Sequence, residues 1–182
     1  MTISLVVGIF LIYLYFLYVK IIKNKNMVLE ALAGVDVQLK RRYDLIPNLV
    51  EVTKTYMAHE KYIFEKITEL RTKAMESKLG SKEKFNSEIE ISKSIQKLIV
   101  TAENYPELKA NETMLKLMDE CTETEDNIAA ARRFYNTALT QLKNSVEIFP
   151  GCFFATFTGD VRFYNYFKAK DEEKNNIKTN IN

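Results

Sequence analysis

Between Ile3 and Val19 the chain runs for 17 residues without a charge, and Lys20, Lys23 and Lys25 follow at once. No other feature restricts the fold as strongly. Crossing a hydrocarbon core takes about 20 residues at 1.5 Å each. Ile3 to Ile22 supplies that length once the Lys20 stem bends outward to the headgroups. Tyr13, Tyr15 and Tyr18 cluster toward the lysine end, as an interfacial aromatic belt requires. A buried core helix would carry a polar stripe, and this run has none. Only Met1 and Thr2 precede it, and no small-x-small cleavage motif follows, so the expectation is an uncleaved anchor, not a secretory leader. The lysines lie on its C-terminal side. The positive-inside rule then predicts a very short outer N-terminus and a cytoplasmic body in a single-pass protein. Residues 1–25 are assigned to the anchor and its basic flank.

The remaining chain, roughly 155 residues, suits one domain. Five glycines and three prolines among 182 residues are too few for the turns of a sheet protein, so the body is expected to be all-α. A net charge of +2, with no basic stripe, argues against nucleic acid as a partner. Cys121 and Cys152 stand far apart, outside any CxxC arrangement, and read as small buried apolar residues, which suits a reducing compartment.

From Leu29 to Ala74, apolar residues recur in alternating steps of three and four: Leu32, Val35, Leu39, Ile46, Leu49, Tyr56, Ile63, Ile67, Leu70 and Ala74. That is a helix-packing seam. Pro47 interrupts it and predicts a kink or brief break near Asp44–Pro47, with Asp44 capping the second half. Gly80 and Ser81 punctuate. A second helix over 84–103 turns Phe85, Ile89, Ile95, Leu98, Ile99 and Ala102 inward. Pro106 opens a third, whose seam is Met118, Cys121, Ile128, Tyr135, Leu139, Leu142, Val146 and Phe149, stopping at Pro150-Gly151. The economical arrangement is an antiparallel bundle of three to four long helices over 26–150, four if the kinked first helix counts as two. Eight aromatics then fall from Phe149 to Phe167. Residues 151–168 read as a lid over one end of the bundle or as an interfacial segment. Residues 169–182 have little to bury and are expected to be disordered.

Charges stand in the seams where apolar residues belong: Arg42 and Glu60 in the first, Glu125 and Arg132 in the third. Buried charges are costly unless paired. Antiparallel packing suggests Arg42 with Glu125 and Glu60 with Arg132, with Asp36, Arg41, Asp44 and Arg133 extending the network. Such a cluster either fixes helix register or forms a binding site.

Enzyme chemistry finds no footing. The only histidine, His59, follows Tyr56 by three, so no Glu-x-x-His pair for a di-iron bundle exists. Common zinc spacings, a nucleophile elbow and a Gly-rich phosphate loop are likewise missing. No catalytic residue, metal or cofactor is expected.

The segment Val35-Asp36-Val37-Gln38-Leu39-Lys40-Arg41-Arg42-Tyr43-Asp44-Leu45-Ile46-Pro47-Asn48-Leu49-Val50 closely resembles the signature of the bacterial LemA family. Two further blocks agree in order: Tyr105-Pro106-Glu107-Leu108-Lys109-Ala110, then Glu125 with Ile128-Ala129-Ala130-Ala131-Arg132-Arg133-Phe134-Tyr135-Asn136, followed by Phe149-Pro150. Gly159-Asp160 departs from the Gly-Phe common there. The resemblance implies a membrane-anchored bundle of long antiparallel helices in a bacterial inner membrane. It also implies company with membrane proteases and other envelope proteins, and offers no catalytic set to carry over. Two functions follow as expectations: a membrane-anchored, non-enzymatic scaffold or adaptor, or a small-ligand or ion sensor built on Arg42, Glu60, Glu125 and Arg132.

Overall fold

The structure is a computed structural model that describes residues 2–154 and 165–167. Its longest element, α1 (Thr2–Tyr56), is one continuous 55-residue helix. Its surface changes character along its length. The large apolar side chains from Ile3 to Tyr18 are exposed, save the half-buried Leu14 and Leu17, whereas from Ile21 a buried stripe takes over. Ile21, Val28, Val35, Arg42 and Leu49 recur every seventh residue and all are buried. Among the described residues α1 is the one helix long and apolar enough to cross a membrane.

The other long helix, α5 (Glu112–Glu147), carries the matching repeat in Met114, Cys121, Ile128, Tyr135 and Leu142. A strict seven-residue repeat keeps one seam facing its partner along two supercoiling helices. The pair is antiparallel. Asn24 Nδ2 donates to the Gln141 carbonyl at 3.4 Å, and further along α1 Arg41 meets Glu123 at 3.2 Å. Helices α2 (Lys61–Glu76) and α3 (Lys82–Ala102) form a hairpin that packs beside this pair. Gly80, at φ +80°, makes its turn, and Ser81 Oγ caps α3 by accepting from the Lys84 amide at 3.1 Å. A short α4 (Pro106–Lys109) buries Leu108, and Asn111 Oδ1 caps α5 through the Met114 amide at 3.0 Å. Leu49, Ile67, Ile95, Leu98, Leu117 and Leu139 meet in the core. Each such side chain contributes about 1.5–3 kcal/mol on burial.

Several expectations need correcting. The helix does not break near Asp44–Pro47, and Asp44 caps nothing; the break falls at Met57–Glu60, where Met57 turns inward and is fully buried. A proline at 47 leaves the Tyr43 carbonyl without its helical donor. Arg71 of α2 replaces it, donating Nε to Tyr43 O at 2.8 Å, so α1 runs on uninterrupted. The third helix is split, because the chain turns at Ala110-Asn111 between α4 and α5. In α3, Ile91 and Glu88 face inward where Ile89 was expected, and Ile89 is only half-buried. Phe149, expected in the α5 seam, is 75% exposed. Within a 3₁₀ turn at Gly151–Phe154, Phe153 is exposed, and so is Cys152, which was expected to be buried; beyond it Phe167 is buried. Phe157, Phe163, Tyr164 and the tail from residue 168 lie outside the described residues.

Candidate functional site

At the middle of the α1 repeat, where an apolar residue belongs, stands Arg42. Its guanidinium is 2% exposed. Nη2 pairs with the Glu88 carboxylate of α3, itself fully buried. Nη1 donates to Glu125 Oε1 of α5 at 2.7 Å and to Ser92 Oγ of α3 at 2.8 Å. Ser92 in turn donates to Glu125 Oε2 at 2.7 Å, so three helices meet at one guanidinium. Tyr43, the next residue, donates its hydroxyl to the other Glu88 oxygen. Burial is the largest influence on that phenol and pushes it up to about 12, against the opposing pull of Arg42.

Arg132 lies at the edge of this group. Burial foremost, and then repulsion from Arg42, lower it to about 10. Its guanidinium carbon sits 5.3 Å from the centre of the Phe167 ring. Phe167 stacks on Phe85 with centroids 3.7 Å apart and meets Tyr135 edge-on at 5.3 Å. The Asn136 side chain holds the Phe167 backbone in a two-way bond, donating to O at 2.8 Å and accepting from N at 3.0 Å. Arg132 Nε and Nη2 and Arg42 Nε are buried and meet no hydrogen-bond acceptor among the described residues.

The structure thus brings Arg42 and Glu125 together and leaves Glu60 out. Glu60 belongs to the turn into α2, where its amide bonds the Met57 carbonyl at 3.0 Å. The suggested Glu60–Arg132 pair fails on register. In an antiparallel pair, moving seven residues forward from Glu125 moves one heptad backward from Arg42. Arg132 therefore faces the level of Val35 and Gln38, about 30 Å along α1 from the Tyr56 end that leads to Glu60. Glu88 is the carboxylate that sequence reasoning missed. Asp36 reaches Lys84 at 3.8 Å and Arg41 pairs with Glu123 at the surface, while Asp44 and Arg133 are exposed.

Two guanidiniums and two carboxylates make an electrically balanced group. Such an arrangement orders helices and offers no nucleophile. Cys121, close enough to feel Glu125, has its thiol pushed up to about 11, mainly by burial. Among the described residues no three His, Cys, Asp or Glu side chains converge as metal ligands would.

The model of the LemA family matches residues 31–181. Two curated relatives of Paramagnetospirillum magneticum, the magnetosome proteins MamQ 1 and MamQ 2, are each 26% identical over 160 residues, covering 74% of this chain and 58% of their own. Protein LemA of Metamycoplasma hominis is 26% identical over 149 residues, covering 80% of this chain and 66% of its own. The chain spans under two thirds of the length of each.

Proposed function

Given that the chain belongs to the LemA family, we propose that it is a single-pass, membrane-anchored, non-enzymatic scaffold or adaptor. In this reading it sits in a bacterial inner membrane, with its N-terminus outside and its bundle in the cytoplasm. The observation that carries this is the continuity of α1. One helix presents mostly exposed apolar side chains from Ile3 to Tyr18 and then, without a joint, the buried repeat from Ile21 that organises α5. An anchor merged with the bundle holds that bundle at a fixed angle to the bilayer, which suits presentation of a surface. Lys20, Lys23 and Lys25 support the orientation. The relatives' names carry no enzyme activity. Its partners would be other envelope proteins, membrane proteases among them, and exposed Val100, Leu115 and Phe134 are apolar positions for contact.

Photo-crosslinkers placed at Phe134 and Val100 in native membranes test this. A reproducible envelope protein captured from both is expected, and its consistent absence would sink the proposal. For orientation, a C-terminal reporter active only in the cytoplasm should light up; activity of a periplasm-only reporter would reverse the topology.

A second reading, an anion sensor, draws on the acceptor-free N–H groups of Arg132 and Arg42. Replacing Glu125 by Gln separates the two: a register pair loses stability, whereas a sensor keeps its fold and changes its thermal response to added phosphate or carboxylates.

A further inference from the structure

The anchor and the bundle overlap. A full span needs about 20 residues and runs to Ile22, yet α5 and the turn after it already stand alongside α1 from the level of Tyr13 onward. An open groove of about 490 Å³ separates the two, walled by Tyr13 and Leu17 of α1 and by Ile148 and Phe149 beyond α5. Its far end is polar, with Lys20 and Asn24 on the α1 side. Ile21 is 1% exposed at this level. The span therefore reaches full length only if the end of α5 is itself submerged to headgroup depth.

The surface there fits that depth. Ile148, Phe149 and Phe153 are 64%, 75% and 70% exposed, and the two rings meet edge-on with centroids 6.0 Å apart. Exposed aromatics on an uncharged turn are expensive in water and at home in the boundary between headgroups and acyl chains. The turn is held in place, because Gly151 lies so close to the Ser145 carbonyl that a Cβ there would come within 1.9 Å of it.

Resting on the anchored reading, we infer that this corner of the bundle is a second membrane contact, whose groove seats one phospholipid of the bilayer. The acyl chain lies along Leu17, Ile148 and Phe149, and the anionic phosphate meets Lys20. Glu147, exposed at the last residue of α5, marks the shallow limit of insertion.

The chain contains no tryptophan, so a single introduced indole reports without background. Three full-length variants, Phe153→Trp, Phe10→Trp and Tyr62→Trp, are reconstituted into phosphatidylcholine–phosphatidylglycerol vesicles with and without brominated acyl chains. Emission from Phe153→Trp should shift to the blue and lose most of its intensity to bromine. Phe10→Trp, in the span, should be quenched as well, and Tyr62→Trp, in α2, should not. A Phe153→Trp signal no more quenched than Tyr62→Trp, with Phe10→Trp quenched, overturns the second contact and leaves the anchor intact. Loss of quenching at Phe10→Trp overturns both. A substitution-free check labels the exposed native Cys152 with an environment-sensitive fluorophore in detergent before reconstitution. A blue shift on entering vesicles supports the contact, and emission unchanged from water refutes it.

Discussion

Arg42 and Glu88 form an ion pair in which neither side chain reaches solvent, 2% and 0% exposed, and which ties α1 to α3 inside a seam that is otherwise apolar. Removing two such charges from water is costly, and their attraction repays it only when the remaining polar atoms are also bonded. Here Glu125, Ser92 and Tyr43 supply those bonds for every atom of the pair but Arg42 Nε. The result is specificity of arrangement. Sliding any of the three helices by one turn would strand a charge.

Breaking the pair and deleting it should therefore differ in sign. Glu88→Gln leaves the Arg42 guanidinium under-compensated and is expected to lower stability by about 3–5 kcal/mol. Replacing the whole unit with Arg42→Met, Tyr43→Phe and Glu88→Leu leaves Glu125, 28% exposed, to water and to Ser92, and should fall near wild type or above it. Denaturant titration of the full chain in detergent compares the two. Equal losses in both would show that the charges themselves stabilise the fold.

Burial holds the Tyr43 phenol up to about 12, whereas an unfolded tyrosine loses its proton near 10. A group that the fold keeps protonated contributes stability in full below about 10, and loses it as the pH rises through about 12. Alkaline unfolding should accordingly be shallower in Tyr43→Phe than in wild type across that window. The same residue should be the difference between the two tyrosinate titration curves. Superimposable stability profiles would contradict the role given to this phenol.

The two cysteines should report different depths. Cys152 is exposed, while Cys121 is buried with its thiol near 11 and almost entirely unionised at neutral pH. One equivalent of a maleimide is expected to react in the native protein and two after denaturation. Mass spectrometry that finds Cys121 labelled first would contradict the packing of the α1–α5 seam.

Much of this architecture was open to reading from residue order. The apolar steps from Leu32 to Leu49 are interrupted by Arg42, so both the seam and its anomaly stood out, and Glu125 likewise; that the seam begins at Ile21, inside the stretch read as the span, did not. Glu88 did not stand out, because Ser87 and Ser92 surround it and small polar residues on a short helix look like a solvated face. The signal was the spacing Phe85, Glu88, Ser92, Ile95, which puts Glu88 on the same side as two core residues. The break at Met57–Glu60 contains neither glycine nor proline and has no local mark. Pro47, which does have one, misled, since its effect on the helix depends on Arg71, 24 positions along the chain and adjacent only after α2 folds back.

Gly151 should resist even the smallest enlargement. Gly151→Ala drives a methyl group into the Ser145 carbonyl, and the backbone has to move. The expected penalty is about 1–3 kcal/mol, confined to the end of α5. Hydrogen exchange should speed up at the Ile148 amide, which bonds Asn144 O at 3.2 Å, and stay unchanged around Ile95. Uniform acceleration would place the strain elsewhere.

The coupling of Arg71 to Pro47 can be measured directly. Arg71→Met removes the Nε donor and leaves the Tyr43 carbonyl with no partner in a partly buried setting. That should cost about 1–3 kcal/mol. Pro47→Ala restores an amide at the position from which a helix normally serves that carbonyl. In that background the carbonyl has a donor with or without Arg71, so Arg71→Met should cost distinctly less. A double-mutant cycle with all four proteins yields the difference, and a coupling of about 1 kcal/mol or more is expected for groups in direct contact. Strict additivity would mean that the 2.8 Å bond contributes nothing to carrying α1 past its proline.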